Sequence, residues 1–389
     1  LSRFDKTTGE VWLWTTFSED QVDINIKNPN VLLELIDILL FYCTQGAKFI
    51  RLDAIAFLWK EIGTNCIHLN QTHEVVKLFR DVLDIAAPQV IIITETNVPH
   101  EENISYFGNQ GDEAQMVYQF PLPPLCAHSL LREDFTWLSN WISSLPQSSE
   151  KTMFFNFTAS HDGIGVRPVT GLLPDEELDF LVQNTVANGG DVSYKNNPDG
   201  TTSPYELNIN YMDMLTPEDH SDEVRTNRFL LSQAILLSMP GVPGIYFHSL
   251  YGSRNWKEGV KLTGRLRTIN REKLCAENTL KELNDTANIR NKVFSSYKKM
   301  LNARANCVAF HPVGEFSSHL LEKSCFLIKR SHEDVTCLGI FNAGTTPFTA
   351  SLEQFTESEY LHDILNQEEI PTSKVEIPAL SFLWLIPQQ

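Results

Sequence analysis

Three short strings in this sequence end in side chains able to act as acids, bases or nucleophiles. Phe49-Ile50-Arg51-Leu52-Asp53 finishes in an aspartate, Ile92-Ile93-Thr94-Glu95 in a glutamate, and Asn156-Phe157-Thr158-Ala159-Ser160-His161-Asp162 in a His-Asp pair. A single Asp or Glu after a strand often does no more than cap the next helix. Three of them at the ends of successive strand-like runs form a pattern, because barrel enzymes build their active sites at the C-terminal ends of their strands. Arg51 stands two residues before Asp53 and so on the same side of a strand, where its fixed positive charge would hold the carboxylate ionised.

The elements that must carry these residues follow from hydrophobic spacing. Asn28-Pro29 reads as a helix N-cap and first turn, and Leu32, Leu33, Ile36, Leu39, Leu40 and Cys43 recur on one face until Gly46. Residues 48–53 then form a strand, and Val75, Phe79, Val82, Leu83 and Ala86 mark the next helix, stopped by Pro88. Val90 to Glu95 is nearly continuous in β-branched residues, as expected of a parallel strand buried on both faces. Further strands are expected at 115–119, 153–157 and 244–247, and helices at 134–143, 223–238 and 280–301. Strand and helix alternate in the manner of a (β/α) barrel. Between Gly163 and Ser221 the pattern loosens into Gly, Pro, Asn and Asp, which predicts a small excursion domain or lid. Past Cys307 the helical period gives way to short apolar runs, 324–329, 335–341 and 382–386, which predict an antiparallel β domain.

Composition narrows the function. With 49 acidic and 31 basic residues the net charge is −18, so the basic footprint of a nucleic-acid binder is missing. An anionic substrate would need a local cluster of cations working against that field. The seven cysteines are scattered and contain no CxxC pair, which argues against a disulfide framework or zinc site and for a reducing cytoplasm. The uncharged run near 240 is interrupted by Pro240-Gly241-Val242-Pro243-Gly244, so no membrane span is expected. The first residue is Leu1, from which an upstream portion of the chain is expected.

Taken with their order and spacing, Arg51-Leu52-Asp53, Glu95 and His161-Asp162 resemble the segments that end strands four, five and seven of the barrel in the α-amylase superfamily, glycoside hydrolase family 13. Gln21 to Asn25, Phe49 to Phe57, Thr94 to His100 and Ser160 to Gly165 resemble its sucrose-phosphorylase-like branch more specifically. The fold implied is a (β/α)8 TIM barrel with an excursion domain and a C-terminal β domain. Residues 1–162 and 222–305 would form the barrel, 163–221 the excursion and 306–389 the tail. Only about fifty residues precede Asp53, against roughly 30 per βα unit. The first three units are therefore expected to be missing, and this stretch alone is expected to be unstable and poorly active.

The resemblance also implies roles. Retaining glycosyl transfer requires a carboxylate nucleophile and a protonated carboxyl roughly 5 Å apart. Asp53 would be the nucleophile, Glu95 the acid/base and Asp162 the third carboxylate, with Arg51 and His161 in support. Tyr205-Glu206 stands where the branch resembles a Tyr-Gln pair of the acceptor pocket. A Glu there is an acceptor-only anion, which moves the expected acceptor from sucrose toward glucosylglycerate, glucosylglycerol or phosphorylated sucrose. If that acceptor is anionic, a nearby Arg or Lys must screen Glu206. Phosphorolysis needs cationic groups for phosphate; Arg167, Lys195 and residues 196–203 are candidates among which the sequence does not choose. The expected partners are an α-glucoside and inorganic phosphate, with no metal or organic cofactor and an oligomeric state left open. Hydrolysis on the same barrel and an inactive, non-catalytic homologue are the alternatives.

Overall fold

In the computed structural model, which describes residues 1–388 apart from Thr8 and Pro198, the chain forms two units, residues 1–97 with 101–118, and residues 98–100 with the remainder. The first unit is built of helices covering parallel strands. Asn28 caps the helix Pro29–Thr44 by accepting from the Asn30 amide at 3.0 Å, and proline at the first turn loses no hydrogen bond because that amide has no helical acceptor. Helix Asn70–Ala86 buries Val75, Val76, Phe79 and Leu83 against Ile26, Leu39, Val90 and Ile92. Each such aliphatic side chain contributes about 2 kcal/mol of burial. The strands Phe49–Leu52, Ile91–Thr94 and Met116–Tyr118 pair in parallel and in chain order. Leu33, Phe41 and Tyr42 of the first helix and Phe49 of the outermost strand remain exposed.

The second unit contains the parallel pair Met153–Asn156 and Val242–Pro243. The expected strand at 244–247 is not formed. Pro243 has no amide to extend the ladder, Tyr246 instead donates its hydroxyl to the Asn270 carbonyl at 2.7 Å, and Phe247–Leu250 is a helical turn. Gly241 makes the short strand possible: it sits at φ +105°, and a Cβ there would lie 2.3 Å from the Phe154 carbonyl oxygen. The helix expected over 280–301 is two helices, Ala276–Asn284 and Ile289–Asn306. Asp285 accepts from the Ala287 amide and Asn288 from the Arg290 amide, and these side-chain bonds compete with a continuous helix.

Residues 163–221 contain helix Asp175–Ala187 and a three-stranded antiparallel sheet with Thr202–Asn208 between Ile164–Gly165 and Asp191–Asn196. The short helix Tyr211–Leu215 follows, with Asp213 5% exposed. Asp213 binds the Arg254 guanidinium, accepts the Asn255 amide at 2.6 Å and lies 3.5 Å from Arg225 of helix Asp222–Ser238. One buried carboxylate thus ties three segments together.

The tail is a six-stranded antiparallel sheet in the order Glu315–Glu322, Cys325–His332, Val335–Asn342, Ser381–Pro387, Tyr360–Asp363, Glu368–Pro371. Alternate residues Cys325/Leu327, Leu338/Ile340 and Leu383/Leu385 face one apolar core with Leu352, Leu361 and Val375. The opposite rows meet helix Asp222–Ser238, where the buried Trp384 donates to Ser238 Oγ at 2.9 Å. Burial on both faces explains why these strands read as nearly continuous apolar runs. Among the described residues no helix is long and apolar enough to cross a membrane.

Removing one partner of a buried ion pair strands the other, at a cost of about 3–5 kcal/mol. Asp213→Asn is therefore expected to lower unfolding free energy by about 3 kcal/mol, read from urea denaturation; a change under about 0.5 kcal/mol would show that Asp213 does not hold these segments.

Candidate active site

In the first unit the site is set by strand register. Arg51 pairs with Ile93 and Leu52 with Thr94, so the next residues, Asp53 and Glu95, leave the ends of neighbouring strands at the same level. The Glu95 amide donates to the Leu52 carbonyl at 3.0 Å, extending that register by one residue. The chain then turns sharply, because Ala54 adopts φ +47° and returns its amide to Glu95 Oε2 at 2.9 Å. Arg51 Nη1 lies 2.7 Å from Asp53 Oδ1 and Nη2 3.7 Å from Glu95 Oε2. Asp53 is 72% exposed and Glu95 only 12%. The aspartate faces solvent while the glutamate is walled in. The Arg51 guanidinium stacks 5.5 Å from the Tyr118 ring centroid. Burial pulls its pKa down, but Tyr118, Glu95 and Asp53 together push it above the ordinary arginine value. Burial, with the negative Glu95 and Asp53, also pushes the Tyr118 phenol up, against the pull of Arg51. The arginine stays charged, and the phenol stays a neutral donor.

In the second unit, His161 and Asp162 follow strand Met153–Asn156. Asp162 Oδ1 lies 2.8 Å from Arg267 Nη1 and 3.1 Å from Arg271 Nη2, and its backbone carbonyl accepts from Asn270 Nδ2 at 2.8 Å. Arg271 Nε also donates to the His161 carbonyl, while the His161 ring is exposed and stands 3.5 Å from Asp162 Oδ2. Tyr205 and Glu206 lie on strand Thr202–Asn208. Tyr205 is half-buried; Glu206 is 3% exposed, and both of its oxygens are occupied. Oε1 accepts the Gly163 amide at 2.7 Å and Oε2 accepts Arg267 Nε at 2.9 Å. Glycine is needed at 163, since a Cβ would meet Glu206 Cγ and the Leu207 carbonyl oxygen at 2.6 Å. Burial lowers the Arg267 pKa, but the bond to Glu206 and the charges of Glu206 and Asp162 raise it above its ordinary value.

Arg267, Asn270 and Arg271 did not stand out in the sequence. Their signal was there in the form of Arg265, Arg267 and Arg271 clustered within seven residues of an acidic chain, the last two a helical turn apart. Arg267 in the turn Leu266–Asn270 and Arg271 just after it bring both guanidiniums to one carboxylate. Of the cations considered for phosphate, Arg167 and Lys195 are half-buried and within electrostatic reach of each other; burial and Arg167 pull the Lys195 pKa down. Among the described residues neither pairs with a carboxylate. In the string 196–203, Asn197 and Thr201 close a turn with Asp199, and Pro198 lies outside the described residues.

Residues 2–171 match the family described as alpha amylase, catalytic domain. A glucosylglycerate phosphorylase of Spirochaeta thermophila is 47% identical over 100% of this chain and 68% of its own length, and one of Escherichia coli is 45% identical over 96% and 66%. The chain thus spans about two thirds of the length of these relatives. Among solved structures, the sucrose 6F-phosphate phosphorylase of Thermoanaerobacter thermosaccharolyticum superposes with a TM-score of 0.77 over 97% of this chain and 71% of that one, at 22% identity, which speaks for the fold. The barrel with a C-terminal antiparallel β domain expected from the sequence is the fold found. The chain belongs to the α-amylase superfamily, glycoside hydrolase family 13, in its sucrose-phosphorylase-like branch.

Proposed function

We propose that the protein carrying this chain transfers a glucosyl unit from an α-glucoside, glucosylglycerate by preference, to inorganic phosphate by double displacement. The observation that carries this reading is the register of two parallel strands, which releases Asp53 and Glu95 side by side with one guanidinium in reach of both. The solvent-facing Asp53, paired with Arg51, is the nucleophile. The enclosed Glu95 is the acid that protonates the leaving oxygen and the base that activates the acceptor. Asp162, with His161 beside it, stabilises positive charge on the sugar ring and binds its hydroxyls.

Phosphate in place of water is supported by two relatives whose names state phosphorylase activity, and by the Arg167–Lys195 pair, two adjacent cations without a carboxylate. An acceptor bearing a carboxylate is supported by the state of Glu206. Its charge is matched by Arg267, and Arg267 and Arg271 keep 43% and 40% of their side chains exposed, ready for an anion. Glu206 and Tyr205 act on the acceptor from this wall. All seven cysteines are free, in keeping with a reducing cytoplasm.

Glucose 1-phosphate release, measured against phosphate concentration on the protein that carries this chain, separates phosphorolysis from hydrolysis. Asp53→Ala is expected to abolish transfer, whereas Glu95→Gln should retain turnover of glucosyl fluoride, whose leaving group needs no proton. Near-normal turnover by Asp53→Ala would overturn the assignment. Arg167→Ala with Lys195→Ala should raise the KM for phosphate about tenfold or more with kcat for hydrolysis little changed, since one charge-assisted hydrogen bond to an anion is worth about 1.5–3 kcal/mol. Glu206→Gln should shift relative rates among glucosylglycerate, glucosylglycerol and sucrose; constant ratios would refute its role at the acceptor.

A further inference from the structure

Backbone pairing between strands Ile91–Thr94 and Met116–Tyr118 ends at the pair Thr94–Val117. Glu95 therefore lies one residue past the ladder on that side, although its amide is still bound to Leu52 on the other. The end of a ladder is where a strand opens most readily. Asn103, on the helical turn His100–Ile104 and 1% exposed, supplies a further rung there. Its Oδ1 accepts the Thr96 hydroxyl at 2.6 Å, and its Nδ2 donates to the Tyr118 carbonyl at 2.7 Å. Thr96 follows Glu95 directly and is itself buried; Tyr118 is the residue whose ring lies against the Arg51 guanidinium. One side chain thus joins the two strands beyond their last backbone pair. The join needs a donor and an acceptor on one planar group, which an amide has and a carboxylate lacks.

The turn that carries Asn103 is held in its own right. Glu102 Oε2 lies 3.1 Å from His68 Nε2, and the hydroxyl of Tyr106, in the next turn Ser105–Phe107, lies 3.0 Å from His68 Nδ1. Tyr106 is wholly buried, and its carbonyl accepts the Ala114 amide at 3.0 Å. His68 belongs to the segment that follows Asp53, and its amide donates to the Ala56 carbonyl at 3.1 Å. It sits at φ +54°, a backbone conformation that persists in a side-chain-bearing residue only where the surroundings impose it. Residues 102–106 therefore bind the segment after Asp53 through His68 and the segment after Glu95 through Thr96.

We propose that Asn103 is a positioning residue, which fixes the height of Glu95 relative to Asp53 and Arg51 by continuing the sheet past its last backbone pair. The proposal rests on the reading of Glu95 as the acid that protonates the leaving oxygen. Asn103 is too deeply buried to reach a substrate, and it acts through Thr96 on one strand and Tyr118 on the other. Proton transfer demands close placement of the acid. A small shift of Glu95 therefore slows leaving groups that need a proton and spares those that do not.

The discriminating measurement is kcat/KM at saturating phosphate for glucosylglycerate and for glucosyl fluoride, on the protein that carries this chain, in Asn103→Asp, Thr96→Val and Glu95→Gln. Asn103→Asp keeps the shape but loses the donor to Tyr118, whereas Thr96→Val keeps the shape and loses only the hydroxyl. Asn103→Asp is expected to lower kcat/KM on glucosylglycerate by about tenfold to about a hundredfold and on glucosyl fluoride by less than about threefold. Thr96→Val should show the same split between substrates. Equal losses on both substrates in a protein whose thermal unfolding is unchanged, or no loss on either, would overturn the proposal. Should Asn103→Asp fail to fold, the split in Thr96→Val decides. Glu95→Gln is the reference. A split there with none in the other two variants refutes the positioning role alone, whereas no split in Glu95→Gln refutes the reading of Glu95 and this proposal with it.

Discussion

Arg267 holds two carboxylates with one guanidinium, and the arrangement around Asp162 and Glu206 in the second unit depends on that fork. Nε takes Glu206 and Nη1 takes Asp162, so a residue on an antiparallel strand and a residue at the end of a parallel strand are bound through one rigid plane. A lysine has no such geometry, since its ammonium is a point charge on a flexible stem. Two carboxylates this near a shared cation would repel each other without it. Arg271 adds a second positive charge on Asp162, and the cluster then carries two anions and two cations. This balance lets Glu206 sit almost wholly out of water. The approach that buries it also requires the missing side chain at Gly163.

The first unit reaches a similar end by a more local route. Arg51 precedes Asp53 by two residues and meets Glu95 only because the neighbouring strand runs parallel and in register. An antiparallel neighbour would carry its C-terminal carboxylate to the other end of the sheet. The two carboxylates differ in exposure although they share a cation, and that difference comes from the turn at Ala54, which folds an amide over Glu95 and leaves Asp53 outside.

Much of this was legible in the sequence, for reasons that differ by element. The run Val90 to Glu95 announced a strand buried on both faces because a strand covered on each side, as in a parallel sheet, takes β-branched residues at successive positions. Asn28-Pro29 announced a helix start because an Asx cap and a proline both fit the unpaired amides there. The positions of Asp53, Glu95 and His161-Asp162 at strand ends were legible for the same reasons. Less legible were the elements decided by tertiary contacts. Tyr246 and Phe247 have strand propensity but lie after Pro243 and are drawn into contacts with Asn270 and neighbouring rings. The break at Asp285 to Asn288 hides within a good helical period, because the Asx side chains that end one helix and start the next leave the apolar spacing almost unchanged. Arg267 was passed over because its partners, Asp162 and Glu206, lie 105 and 61 residues away. Linear spacing carries no information about such a fork.

Five of the arginines fall into two physical kinds. Arg51, Arg267 and Arg271 pair with carboxylates, keep part of their surface in water, and hold fixed negative charge in position. Arg330, fully buried, and Arg304, half-buried, donate to carbonyls, and among the described residues neither pairs with a carboxylate. In a chain with a surplus of acidic groups, leaving two guanidiniums unpaired is not forced by a shortage of anions. The first kind holds carboxylates in place, and the second ties the end of helix Asp222–Ser238 to the C-terminal segments through neutral carbonyls.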